Sequence, residues 1–139
     1  MVDRPLVLRK IGKIETYLGS IRKKKDPGND AFQKDRDLQS IVLFNLIQAI
    51  QACSDIAAHI ISDAGWEMPG SQAESFETLA KKKVISRQLS RKMIQMAGFR
   101  NRIVHEYEKI DLKIVHNVWR KNSKDLDTFC KTVVKKYKL

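Results

Sequence analysis

Arg100, Asn101, Arg102, His105 and Tyr107 place two guanidinium groups, an amide, an imidazole and a phenol within the stretch Gly98-Phe99-Arg100-Asn101-Arg102-Ile103-Val104-His105-Glu106-Tyr107. These are groups suited to a phosphodiester. An imidazole that titrates near neutrality shuttles protons, and an always-charged guanidinium holds the negative charge that builds on phosphorus during RNA cleavage without needing a metal. The question for the remaining residues is whether they can present that set.

The chain has 139 residues, a length that fits one domain over 1–139, and with 42% hydrophobic residues it can bury a real core. Cys53 and Cys130 stand too far apart for a CxxC pair or a disulfide framework, so they read as small core residues of a protein kept in a reducing cytoplasm. The start, Met1-Val2-Asp3-Arg4-Pro5, lacks the apolar core of a signal peptide. The most apolar stretch, 41–62, is interrupted by Asn45, Gln48, Gln51, Asp55 and His59, too polar for a lone membrane span.

The formal net charge of +11 is unevenly spread. Residues 1–29 carry +5, 30–79 carry −6, 80–99 carry +6 and 100–139 carry +6. Such a basic shell around one acidic segment attracts RNA or docks an acidic protein, and equally serves as an ordinary solvated surface.

The positioning elements read as helix throughout. Leu6, Leu8, Ile11, Ile14, Leu18 and Ile21 keep a helical period, which ends in Lys23-Lys24-Lys25-Asp26-Pro27-Gly28, a basic last turn followed by Pro and Gly. A second, long helix is predicted from about Phe32 to Asp63. Gly65 to Gly70 forms a turn, and Ser71 to Glu74 has capping-box spacing for a short third helix through about Lys82. Ser86 caps a fourth, running through Leu89, Met93 and Met96 to Gly98, and Asp111 opens a fifth with an irregularity near Asn122-Ser123. No alternating strand pattern or repeat interrupts them. The expected fold is all-α, an antiparallel up-and-down bundle of about five helices.

Arg100-x4-His105-x-Tyr107, with Asn101 behind the arginine, resembles the motif of HEPN-domain proteins, and specifically of the HepT-like toxins paired with minimal nucleotidyltransferase antitoxins. The resemblance extends over roughly residues 6–133 through the Tyr17-Leu18 helix end, the Phe32 to Asp35 entry, Asp55 to Ile61, Phe76-x-x-Leu79 and Ile110-Asp111.

It implies a metal-independent endoribonuclease, cofactor-free and active as a homodimer whose two motifs meet in one composite cleft. His105 and Arg100 would be catalytic, Asn101 and Arg102 would support them or bind RNA, and Tyr107 would receive AMP from the cognate nucleotidyltransferase antitoxin, silencing the toxin. An adenylate two residues from His105 would repel RNA. Helix geometry agrees that one copy is incomplete: positions five apart are rotated by about 140° and shifted by about 7.5 Å, so a second chain or a local distortion must bring Arg100 and His105 to one phosphate. Asn101 and His105, four apart, share a face and can hydrogen-bond.

Plainer roles exist for each residue. His105 would be an ordinary helix histidine, Arg100 would pair with Asp55 or Glu106, and Tyr107 would be an amphipathic core residue. On that basis the alternative is a non-catalytic helical module that docks a nucleotidyltransferase and presents substrate to it. Asp55, His59 and Asp63 share a helical face at metal-ligand spacing, but such trios are more often solvated or salt-bridged, and no metal site is expected. The lysine runs 81–83 and 135–136 lack interleaved aromatics for base stacking, and no GK[ST] phosphate loop occurs.

Overall fold

A computed structural model describes residues 2–139. Seven α-helices follow in order: α1 (Arg4–Arg22), α2 (Asn29–Phe32), α3 (Arg36–Asp63), α4 (Gln72–Lys81), α5 (Arg87–His105), α6 (Leu112–Asn117) and α7 (Lys124–Tyr137), with no strand among the described residues. The all-α antiparallel bundle expected from the sequence is the fold observed. Its helix count exceeds the expected five because a single turn, α2, is set off ahead of α3, and because the fifth predicted helix is divided into α6 and α7.

The first division falls at Asp35. Its carboxylate accepts from the backbone N–H of Leu38 at 3.0 Å and so starts α3 afresh, leaving α2 as a single turn that buries Phe32. The second falls at Val118–Asn122, where the helix widens to a π turn: the N–H of Ser123 bonds the carbonyl five residues back, on Val118, at 2.8 Å. That extra residue accompanies a fully buried Trp119 whose indole N–H reaches the carbonyl of Ile21 at 3.0 Å. The irregularity anticipated near Asn122-Ser123 is this feature.

The remaining boundaries follow local chemistry. Asp3, Ser71, Ser86 and Asp111 each cap a helix with a side-chain oxygen. At Ser71 the expected box is shifted by one residue: Ser71 accepts from the N–H of Glu74, but Glu74 accepts from the N–H of Gly70 at 2.8 Å. Gly98 does not end its helix. It lies inside α5, which continues to His105.

α3 is the spine, packed by α1 on one side and by α4, α5 and α7 on others, with α4 and α5 forming a close pair. By length and composition α3 passes for a membrane span, but 61% of its most apolar stretch is buried inside the bundle, which makes it the core helix. Cys53 and Cys130 are buried, unbridged core residues. Burial pushes the Cys53 thiol well up from its ordinary value, which keeps it protonated and unreactive.

Candidate RNA-processing site at the end of α5

The core ends before α5 does. Met93, Met96, Ala97, Phe99 and Ile103 anchor the helix, and its last turn carries the polar set beyond them. Basic residues there complement the helix C-terminus. Glu106 then leaves helical geometry (φ −133°, ψ 40°), while its N–H still bonds the carbonyl of Arg102 at 2.8 Å and its own carbonyl accepts from Lys109 at 2.8 Å. Tyr107–Lys109 form one tight helical turn, and Ile110 leads in extended backbone to the Asp111 cap of α6.

α5 is regular through His105, so no local distortion of one chain brings Arg100 and His105 together; the two side chains leave the helix about 140° apart. Arg100 is half-buried at the edge of the core. One terminal nitrogen donates to Asn101 Oδ1 at 3.2 Å, and its Nε is buried with no hydrogen-bond partner. An orphaned buried donor costs roughly 1–3 kcal/mol, a cost an anionic oxygen removes. Asn101 is engaged by Arg100 rather than by His105, so the expected Asn101–His105 hydrogen bond does not form; the neighbouring guanidinium competes for the same amide oxygen.

His105 is exposed, and its ring has no hydrogen-bond or ion-pair partner among the described residues. Neither acid considered as a structural partner holds Arg100. Asp55 is taken by Lys10 at 3.0 Å and by Gln51 at 3.0 Å, and Glu106 makes no ion pair. Tyr107 is 58% exposed, a surface phenol and not a core residue. Of the trio at metal-ligand spacing, His59 Nε2 accepts from the backbone N–H of Asp3 at 3.1 Å and Asp55 is held by Lys10 and Gln51, so these side chains serve structural contacts.

Arg102 lies on the other side of α5 from Arg100. With Glu106, one turn further on, it borders a small cavity of about 110 Å³ whose walls are Phe99, Ile103, Ile110 and Ile114. The sequence offered a signal for this cavity, an Arg and a Glu four apart beside isoleucines, but no means of knowing that α6 would fold back to close it.

A helical bundle that extends an uncommitted Arg-x4-His pair beyond its core has the build of a HEPN domain. The family model for HepT-like ribonucleases matches residues 8–133, and the chain belongs to that family. It is 33% identical over 124 residues to the mRNA nuclease HepT of Shewanella oneidensis, covering 89% of this chain and 92% of that one. It is 28% identical over 111 residues to the tRNA nuclease HepT of Aphanizomenon flos-aquae, covering 79% and 75%. Among solved structures, the tri-AMPylated HEPN toxin of Shewanella oneidensis in complex with its MNT antitoxin superposes with a TM-score of 0.88 at 32% identity, covering 97% of this chain and 99% of that one.

Proposed function

We propose that this chain is a single-domain, metal-independent endoribonuclease toxin of the cytoplasm. It acts as a homodimer and is silenced when a cognate minimal nucleotidyltransferase antitoxin attaches AMP to Tyr107. The observation that carries this reading is the uncommitted state of Arg100 and His105: a guanidinium with an orphaned buried Nε and an unpartnered imidazole stand at one helix end, with no acid paired to either. The relatives, two RNA nucleases and an AMPylated toxin bound to its antitoxin, support it.

In this mechanism the imidazole of His105 removes the proton from a ribose 2′-OH. The 2′-oxygen attacks phosphorus, the bond to the 5′-oxygen breaks, and the leaving oxygen takes a proton from the partner's His105. Arg100 binds the phosphate and stabilises the charge that develops on its oxygens. The products are a 2′,3′-cyclic phosphate and a 5′-OH. A second chain supplies what the 140° separation denies to one, and exposed apolar side chains such as Phe44 and Val104, 57% and 46% accessible, offer surface for that association.

The test is to incubate the purified chain with mixed RNA in EDTA, beside Arg100→Ala, and to analyse product ends. Cyclic phosphates that the substitution abolishes are expected. Intact RNA from a folded, dimeric, unmodified chain would overturn the reading and leave a nucleotidyltransferase-docking module.

A further inference from the structure

The cavity behind the motif has no part in the reaction just described, yet it opens beside it. Arg102 precedes His105 by one turn and Glu106 follows it directly, so the cavity mouth lies within about one helical turn of the imidazole. Its apolar walls are the buried Phe99 and Ile103 of α5 and, across from them, Ile110 and Ile114. At about 110 Å³ it is well below the roughly 300 Å³ at which pockets for drug-sized molecules begin. One flat heterocycle fits that scale and a whole nucleotide does not.

The polar rim is what gives the cavity a chemistry. Arg102 and Glu106 are four residues apart, a spacing at which opposite charges ordinarily pair, yet they make no ion pair with each other or with any other described residue. Lys109 is likewise uncommitted. Asp111 is not available in the same way, because its Oδ1 accepts from the N–H of Lys113 at 2.9 Å. The mouth thus presents a guanidinium fork and a free carboxylate, about one helical turn apart at the end of α5, beside an apolar slot.

We propose that this cavity is a base-recognition subsite that seats a guanine next to the scissile phosphate, an inference that rests on the ribonuclease reading above and names its substrate preference. Guanine alone among the four RNA bases offers two adjacent donors, N1–H and N2–H, to a carboxylate and two adjacent acceptors, O6 and N7, to an arginine fork. Glu106 accepts from the first pair and Arg102 donates to the second. Lys109 neutralises the phosphate that follows. The role assigned to Arg102 is therefore base selection, separate from the phosphate binding done by Arg100 on the other side of the helix.

Binding is measured by fluorescence anisotropy with uncleavable 2′-O-methyl oligonucleotides, an all-cytidine strand and the same strand carrying one central guanosine or inosine, and cleavage positions are mapped in parallel on mixed RNA. The variants are Glu106→Gln, which removes the paired acceptor, and Ile114→Trp, which fills the slot from a position already 45% exposed. The expected result is about tenfold tighter binding of the guanosine strand, most of it lost with inosine and lost in both variants, with wild-type cuts clustered beside guanosine. Equal binding of the three strands, or a guanosine preference that survives both variants, overturns the proposal. Cleavage without discrimination leaves the nuclease reading standing and removes the subsite; discrimination without cleavage does the reverse.

Discussion

Two histidines stand eleven residues apart, each with an arginine within five residues of it, and their surroundings differ in nearly every respect. His105, at the end of α5, is exposed with no hydrogen-bond or ion-pair partner among the described residues, and the nearby Arg100 hydrogen-bonds only Asn101. His116, in α6, bonds Asp26 Oδ1 at 2.8 Å, while Arg120 Nε lies 3.3 Å from the other oxygen of that carboxylate. Around them Phe32 lies 5.4 Å from the His116 ring between centroids, and Arg120 lies 5.0 Å from the buried ring of Trp119. The hydrogen bond from His116, together with the nearby charges, holds the Asp26 carboxyl below its ordinary value. In the second cluster, His, Asp, Arg and aromatic groups satisfy one another and clamp the connector after α1 onto α6. In the first, the same kinds of group are held apart. What separates a structural histidine from a candidate catalytic one here is the state of its partners, not the residue types around it.

The sharpest way to break this contrast is at the motif. His105→Ala is expected to lower RNA cleavage by about 10²–10⁴-fold, and Arg100→Ala by about 10²–10³-fold, measured as initial rates on a defined RNA. Next in size is Tyr107→Phe, which removes the hydroxyl of an exposed ring: AMP incorporation at this residue, read by intact-mass spectrometry with the antitoxin and ATP, falls to nothing while cleavage stays within about twofold.

On the other side, Asp26→Asn is expected to cost about 1–2 kcal/mol at neutral pH, a fall of roughly 3–8 °C in Tm. The Asp26 carboxyl is depressed in the folded chain, so its contribution is complete above the ordinary carboxylate value near 3.8 and disappears as pH falls through the lower folded value. Melts of wild type and Asp26→Asn from about pH 7 downward will therefore draw closer together as the pH falls below that ordinary value. The smallest effect is expected from Asn101→Ala, about two- to tenfold in cleavage rate, because the amide only tethers Arg100 through one 3.2 Å hydrogen bond.

The parts of this molecule that depend on neighbours in sequence were legible before the structure. The apolar period of α1, the caps at Ser71, Ser86 and Asp111, and the trouble near Asn122 all follow from residues within a turn or two. The resemblance carried by Arg100, His105 and Tyr107 led to the family in the same way. Gly98 was misleading because glycine ends a helix only where the chain turns left-handed, and here it stays helical with Phe99 and Ile103 anchored in the core beyond it. The division at Asp35 had a visible cap that the long apolar run of α3 outweighed.

Long-range partners were not legible at all. His116 meets Asp26 across ninety residues, and Trp119 meets Ile21 across ninety-eight, so neither contact leaves a local pattern. The separation of Arg102 from Arg100 is a different case, because it follows from helix geometry alone once α5 is known to run through both. Two basic residues of one motif read as one phosphate site in sequence, and helix geometry sends them to opposite sides of α5.

Parallel measurement of thermal stability and of RNA cleavage per folded molecule, in EDTA, for His105→Ala and His116→Ala tests the account most directly. It predicts that His105→Ala melts with the wild type and loses at least about a hundredfold in cleavage, whereas His116→Ala melts several degrees lower and cuts RNA at close to the wild-type rate. A folded His105→Ala protein that still cleaves RNA at the wild-type rate would contradict it.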